Sequence, residues 1–375
     1  MLNRKFVILV FCLLNLDSQC VQASTFQDIT KNSWIQDRVK VKYKKEYTFQ
    51  YSCDGKLLNI SVMVEKDISH GTYPASLVIS RDGSTLYVAN YMNSIAAKID
   101  TKDLTKIGDR FYTHGEYPSG LALSKDEEIL YVLNGGHSVE NKTIVKFNIQ
   151  SNKLEEGCFQ LPISGIAFLL SEDNLFFYIA DFGEGQVYKV EAKTGKILDS
   201  LKTGGKPAHM ILSPDNKTLF VANCFSPTNT ITVIDTQTWK IIGDPIQILD
   251  GDPHALAVSP DGSTLVVGCR ENDSILLIDT KSIQVIDKIV TNDIASPRSL
   301  AISEDGRILF VANKHGDSVT LIDIKTRQVI GRPIATGGHT PLAICLDKNQ
   351  AEQIRLYVAN YGDDTISKIT FKISS

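Results

Sequence analysis

The sequence predicts an all-β fold: a seven-bladed β-propeller with four antiparallel strands per blade, its last blade closed by an N-terminal strand. Three observations carry this. A unit of 44 to 46 residues recurs seven times along the 375-residue chain. Each unit holds four short apolar runs separated by turn residues, the pattern of one propeller blade. Val, Ile, Thr, Tyr and Asp-Gly pairs recur throughout, which favours strands and tight turns over helices.

The ends come first. Met1-Leu2-Asn3-Arg4-Lys5 is a positive lead, and Phe6 to Leu14 is apolar but short for a membrane span. Val21-Gln22-Ala23 offers a small-residue cleavage pattern, so residues 1–23 are expected to be a signal peptide cut after Ala23. The bulky Gln19 before Cys20 argues against lipidation there. Export follows as an expectation, to the periplasm or the cell surface and beyond. Losing Arg4, Lys5 and Asp17 takes the formal net charge from −4 to −5. A mildly acidic protein is a poor general binder of polyanions. The basic run Arg38, Lys40, Lys42, Lys44 and Lys45 is the exception, and reads as a solvated strand edge. Residues 24–54 are expected as an extension, with 24–46 either a short flexible lead or an extra strand on the rim, and 55–375 as the propeller.

The repeats follow in order. Pro74 opens one that runs through Asp82-Gly83 to Tyr87-Val-Ala-Asn90 and Asp100-Thr. Pro207, Pro253 and Pro297 open close copies, with Phe220-Val-Ala-Asn223 and Phe310-Val-Ala-Asn313 in the second strand of two of them. Pro118 opens a looser copy, Ile163 stands where another proline is expected, and Pro341 leads to Tyr357-Val-Ala-Asn360. Asp-Gly and Asp-Asn suit the hairpin between the first two strands. The recurring Asn and Asp-Thr are expected to bond backbone in nearby turns and so are scaffold. The final unit ends after three strands. Gly55-Lys-Leu-Leu-Asn-Ile-Ser-Val-Met-Val64 resembles the fourth strand at Gly195-Lys-Ile-Leu-Asp-Ser-Leu, and is expected to complete the last blade.

On these residues the chain resembles the YVTN-repeat β-propeller family, including YncE-like and surface-layer exported propellers, over roughly residues 55 to 373. The resemblance implies the fold. It brings no catalytic motif, and the family's ligands are mostly unknown. The two tryptophans, Trp34 and Trp239, do not follow a WD-repeat pattern.

Propellers bind ligands at the channel mouth, beside the start of each inner strand. The residues there vary between repeats: Tyr73, Tyr117, Ser164, His209, His254, Arg298 and His339. They suggest a polar funnel for a small anionic or sugar-like ligand, with Arg298 as the charge clamp. The alternative is a set of solvated rim residues. A metal site from His209, His254 and His339 is disfavoured, because His339 lies on the far side of its proline. No cofactor motif appears. Cys224 and Cys269 end equivalent strands of adjacent repeats and are candidates for a disulfide or for two buried thiols. The expected role is a monomeric, non-catalytic binding propeller whose partner is a protein or a small ligand. An exported hydrolase of lactonase or lyase type is the alternative, on fold analogy. Nucleic-acid or polyanion binding through the basic arm is a weaker third.

Overall fold

The computed structural model describes residues 43–53, 56–68, 71–136, 141–155, 157–225, 229–347 and 353–374. They form seven antiparallel sheets in chain order. The inner strands are Pro74–Ile79, Pro118–Leu123, Gly165–Leu170, Lys206–Leu212, Pro253–Val258, Pro297–Ile302 and Pro341–Asp347. Each lies against the next, and the seventh lies against the first, so the ring closes. Blades 1 to 6 follow from these openings. In blades 2, 4 and 6 the outer strand is broken into two short pieces that pair with the same neighbour. Among the described residues no helix is long and apolar enough to cross a membrane.

The hairpins repeat one hydrogen-bond unit. Ser80, Ser124, Ser171, Ser213, Ser259 and Ser303 each donate a hydroxyl to the Asp two residues on, at 2.5–2.6 Å. Those carboxylates accept the backbone N–H beyond the turn, as Asp82 does from Ser84 at 2.9 Å. This is Asx-turn chemistry and explains why Asp recurs there. The Asn residues closing the second strands are fully buried. They were expected to bond the following turn. Instead, Asn223 Nδ2 donates to Thr232 Oγ1 at 2.9 Å and Thr203 O at 3.3 Å, tying the third strand to the loop that enters the blade. Asn313 does the same with Thr320 and the carbonyl of Asp293.

Two sequence expectations shift. Blade 3 opens at Gly165, not Ile163: Gly165 stands opposite Asp181 as Pro74 stands opposite Asn90. A Cβ at Gly165 would lie 2.7 Å from side-chain atoms of both Ile179 and Leu133, so packing from two blades fixes the glycine. The last blade has five strands rather than four. Lys56–Ile68 pairs with Thr365–Ser374 as the closing strand, and Tyr43–Cys53 pairs outside it. The segment 24–54 therefore divides: 43–53 joins the sheet, and 24–42, with the signal-like residues 1–23 and most of the basic run, lies outside the described residues.

The added strands form a clasp across blades 6 and 7. Ile60, Val62 and Val64 enter a core shared with Phe310, Leu356 and Phe371. Burial of each such side chain stabilises by roughly 1.5–3 kcal/mol. Phe49 covers Gly331, whose added Cβ would lie 2.6 Å from the ring, and the Arg332 guanidinium sits 5.3 Å from the Tyr47 ring centroid. The Tyr51 hydroxyl hydrogen-bonds to the buried carboxylate of Asp323 in blade 6, which also accepts from Arg307 Nε at 2.8 Å. Burial would raise the Asp323 pKa, but hydrogen bonds from Tyr51, Thr326 and Arg307 outweigh it and bring it down to about 2.

Tyr51→Phe should therefore destabilise the protein at pH 7 by about 1.5–3 kcal/mol, the range for a hydrogen bond to a charged group. Because the folded pKa lies below the unfolded value of about 3.9, the Asp323 contribution is complete above about pH 4 and is lost as pH falls toward 2. Urea melts of both proteins across this range should show their difference narrowing with acid. Equal stability at pH 7 would remove this contact from the clasp.

Candidate functional site

The inner strands place the site through one recurring irregularity. In every blade the residue after the opening position is skipped in the pairing with the second strand: Ala75, Ser119, Ile166, Ala208, His254, Arg298 and Leu342. A bulge re-aims its side chain and bends the strand. Five blades carry a small or apolar residue there. Blades 5 and 6 carry His254 and Arg298. His209 is one residue further along the inner strand of blade 4, and Asp252 stands before Pro253. Cys224 and Arg270 end, or directly follow, the second strands of blades 4 and 5. All of these strand ends face the same end of the ring, because each opening residue pairs with the end of its second strand.

The resulting cluster is crowded and charged. Arg270 Nη2 lies 2.5 Å from Asp252 Oδ2, and the Asp252 side chain is 1% exposed. His254 Nδ1 is 3.9 Å from the same oxygen, too far for a hydrogen bond. One ligand atom each from Cys224, Asp252 and His254 lie within 4.8 Å of one another, and all three residues are buried. Asp252 Oδ1, His254 Nδ1 and His209 Nδ1 are buried without a hydrogen-bond partner among the described residues, whereas Asp252 Oδ2 is held by Arg270. Such groups are costly and call for an explanation. Burial, and then the Asp252 carboxylate, push the Cys224 thiol up to about 12.

Arg298 has no hydrogen bond or ion pair to a described residue. Burial lowers its pKa to about 10, with Cys224 and Asp252 acting against the fall, so it stays cationic at neutral pH. Burial, and then the Arg298 charge, bring His209 down to about 4, so its imidazole is neutral at pH 7. Lys314 is lowered by burial, then by Arg298 and Arg270. Phe225 flanks the cluster, with the Arg270 guanidinium 4.6 Å from its ring centroid.

The tyrosines form a second arc on blades 7, 1 and 2. Tyr73 and Tyr361 have ring centroids 4.7 Å apart, Tyr91 and Tyr117 4.8 Å, and Tyr91 and Tyr361 6.5 Å. Tyr73 and Tyr117 hold left-handed backbone at φ 57°, and their carbonyls accept the N–H groups of Tyr91 and Gly135, each within its own blade. Sequence reasoning missed Tyr91 and Tyr361. The signal was available, because the residue after each second-strand Asn varies as widely as the one beside each proline.

Other expectations change. His254, one of the funnel candidates, is 6% exposed, so the alternative of a solvated rim residue does not describe it. His339 is exposed, with Nδ1 2.7 Å from Asp317 Oδ2 on the hairpin of blade 6, and does not join the other histidines. Ser164 contributes its backbone N–H, which donates to Asp181 at 3.0 Å. Cys224 and Cys269 are separate thiols, not a disulfide. Cys224 turns to Asp252, while Cys269 turns to Ser274 within its own blade.

His209 should stay neutral well below the ordinary histidine range. Its folded pKa lies below the unfolded value of about 6.5, so its contribution to stability is complete above about pH 6.5 and is lost as pH falls toward 4. An NMR titration of the imidazole should show this, and Arg298→Ala should move the midpoint upward. An unchanged midpoint in that variant would separate the two groups.

The family model described as "Lactonase, 7-bladed beta-propeller" matches residues 47–166 and 168–329. No curated protein matches the chain. Among solved structures, a chain of Kuenenia stuttgartiensis hydrazine synthase is similar over 80% of this chain and 96% of its own, with a TM-score of 0.68 and 18% identity. At that identity the likeness is one of fold alone. With its seven closed blades and a family match over most of its length, the chain belongs to the seven-bladed β-propeller lactonase family.

Proposed function

We propose that the channel mouth opens the ring of a small lactone, yielding the hydroxy acid. One observation carries the reading: Arg298 is a half-buried cation with no carboxylate partner among the described residues, and it lies within electrostatic reach of a neutral histidine. A guanidinium held in this way suits a carbonyl oxygen that gains negative charge as water adds. His209 is the base that takes the proton of that water. A pKa of about 4 makes it weak in the free protein. The oxyanion would offset the Arg298 charge that helps depress it, so its basicity rises as the tetrahedral intermediate forms. Collapse of that intermediate breaks the acyl–oxygen bond, and the ring oxygen leaves with the proton. Family membership supports this chemistry over simple binding. Binding of an anionic or sugar-like ligand without turnover uses the same clamp and is the second reading.

Two narrower statements join the proposal. The YVTN-type repeat is supported by Tyr87-Val-Ala-Asn90 and Tyr357-Val-Ala-Asn360. Export outside the cytoplasm is supported by the signal-like pattern at residues 1–23, and N-terminal sequencing of protein from its native host tests the cleavage.

A pH-stat assay of γ-, δ- and sugar lactones should find turnover in the wild type. Arg298→Ala should lower kcat/KM by roughly 10²–10³, the usual effect of removing one oxyanion donor. A wild type that opens none of them, but whose Tm rises with the corresponding hydroxy acid, would favour the binding role. Neither response would sink both.

A further inference from the structure

We propose that Cys224, Asp252 and His254 hold a divalent d-block cation of the zinc class in the mouth of the channel. The proposal does not depend on the lactone reading. The three ligand atoms come from two adjacent blades and lie within 4.8 Å of one another, close enough to share one ion. The residues are 0%, 1% and 6% exposed. His254 Nδ1 and Asp252 Oδ1 are buried with no hydrogen-bond partner, while Asp252 Oδ2 is paired with Arg270. A shared cation satisfies both free donor atoms at once. Arg270, 2.5 Å from Asp252 Oδ2, fixes the carboxylate, as charged neighbours commonly do for metal ligands.

The chemistry of the set selects the ion. Thiolate and imidazole favour zinc, cobalt and copper over magnesium and calcium, which need several oxygen ligands. The cations Arg270 and Arg298 nearby sharpen the choice, because an ion held by charge alone would be repelled. Cys224 and Asp252 bring two negative charges to a doubly charged ion once the thiol has lost its proton. Three protein donors leave a coordination position open, the ligand count of catalytic rather than structural zinc sites.

The test uses the full-length protein stripped with a chelator and then given cobalt(II) or zinc(II) alone. Cobalt should bind at about one ion per chain, with a near-ultraviolet thiolate-to-cobalt charge-transfer band and release of about one proton from Cys224. Zinc should raise the Tm by mass action. Both responses should vanish in Cys224→Ser and weaken in His254→Gln. Both should persist in Cys158→Ser, which removes an exposed thiol outside the site. The Tm of each stripped variant reports whether it folds; if Cys224→Ser does not, His254→Gln decides. A charge-transfer band that survives in a folded Cys224→Ser, cobalt binding undiminished in His254→Gln, no band in the wild type, or no zinc-dependent rise in Tm would overturn the site. These readouts need no substrate, so a failed lactone assay leaves them standing, and a failed metal test leaves the lactone reading standing.

Discussion

The ring depends on closure of its last sheet by the other end of the chain. Blades 1 to 6 each take their strands from one continuous stretch, but the fourth strand of blade 7 comes from the N-terminal side of the ring. An unfilled edge there would leave a row of backbone donors and acceptors open to water or to another chain. Lys56–Ile68 fills it over ten successive residue pairs, and Tyr43–Cys53 covers the new edge in turn. Antiparallel pairing fixes the register, while Ile60, Val62 and Val64 fix which face turns inward. The Tyr51–Asp323 contact then ties the outermost strand to blade 6. Closure thus links neighbouring blades rather than capping one.

Closure also gives the site its rigidity. Seven inner strands meet around a narrow axis, and each bends at a bulge as it enters the ring. Small residues suffice at most of these bulges. His254 and Arg298 occupy two in succession, so long polar side chains are held among buried neighbours, where charges act strongly on one another. His209 responds to Arg298 although blade 5 stands between their blades. That reach is a property of the ring, since residues 89 positions apart in sequence come together at its axis.

Much of this was legible in the chain and some was not, for physical reasons. The period, the hairpin Asp, the buried Asn and the closing strand are local patterns repeated several times, so each copy supports the others. The opening of blade 3 was not legible, because Gly165 is fixed by Leu133 and Ile179 from two different blades. His209, His254 and Arg298 stood out as variation against a constant background, but their depth did not. His254 is buried because its bulge turns it toward Asp252, and Asp252 itself reads as an ordinary turn residue before a proline. Cys224 reads as one more buried thiol. The convergence of these three comes from the packing of blades 4 and 5 and leaves no spacing signature. His339 shows the reverse: it lies near a proline, but on the solvent side, where Asp317 takes it.

Blade 5 shows why the cluster sits where it does. In blades 4 and 6 a buried Asn at the end of the second strand donates to a carbonyl of the entering loop and to hydroxyls of the third strand. In blade 5 that position is Cys269, which turns to Ser274 and cannot reproduce the amide's hydrogen bonds. The entering loop keeps the backbone bond that other blades share, from the Arg270 N–H to the Asp252 carbonyl at 2.8 Å, and adds the Arg270 guanidinium meeting the Asp252 carboxylate. The scaffold amide is thus exchanged for an ion pair, and the carboxylate comes to lie beside Cys224 and His254. A buried ion pair whose other oxygen is unsatisfied adds little to stability. The structural Asn is missing from the blade where a buried, ion-paired carboxylate takes over its task.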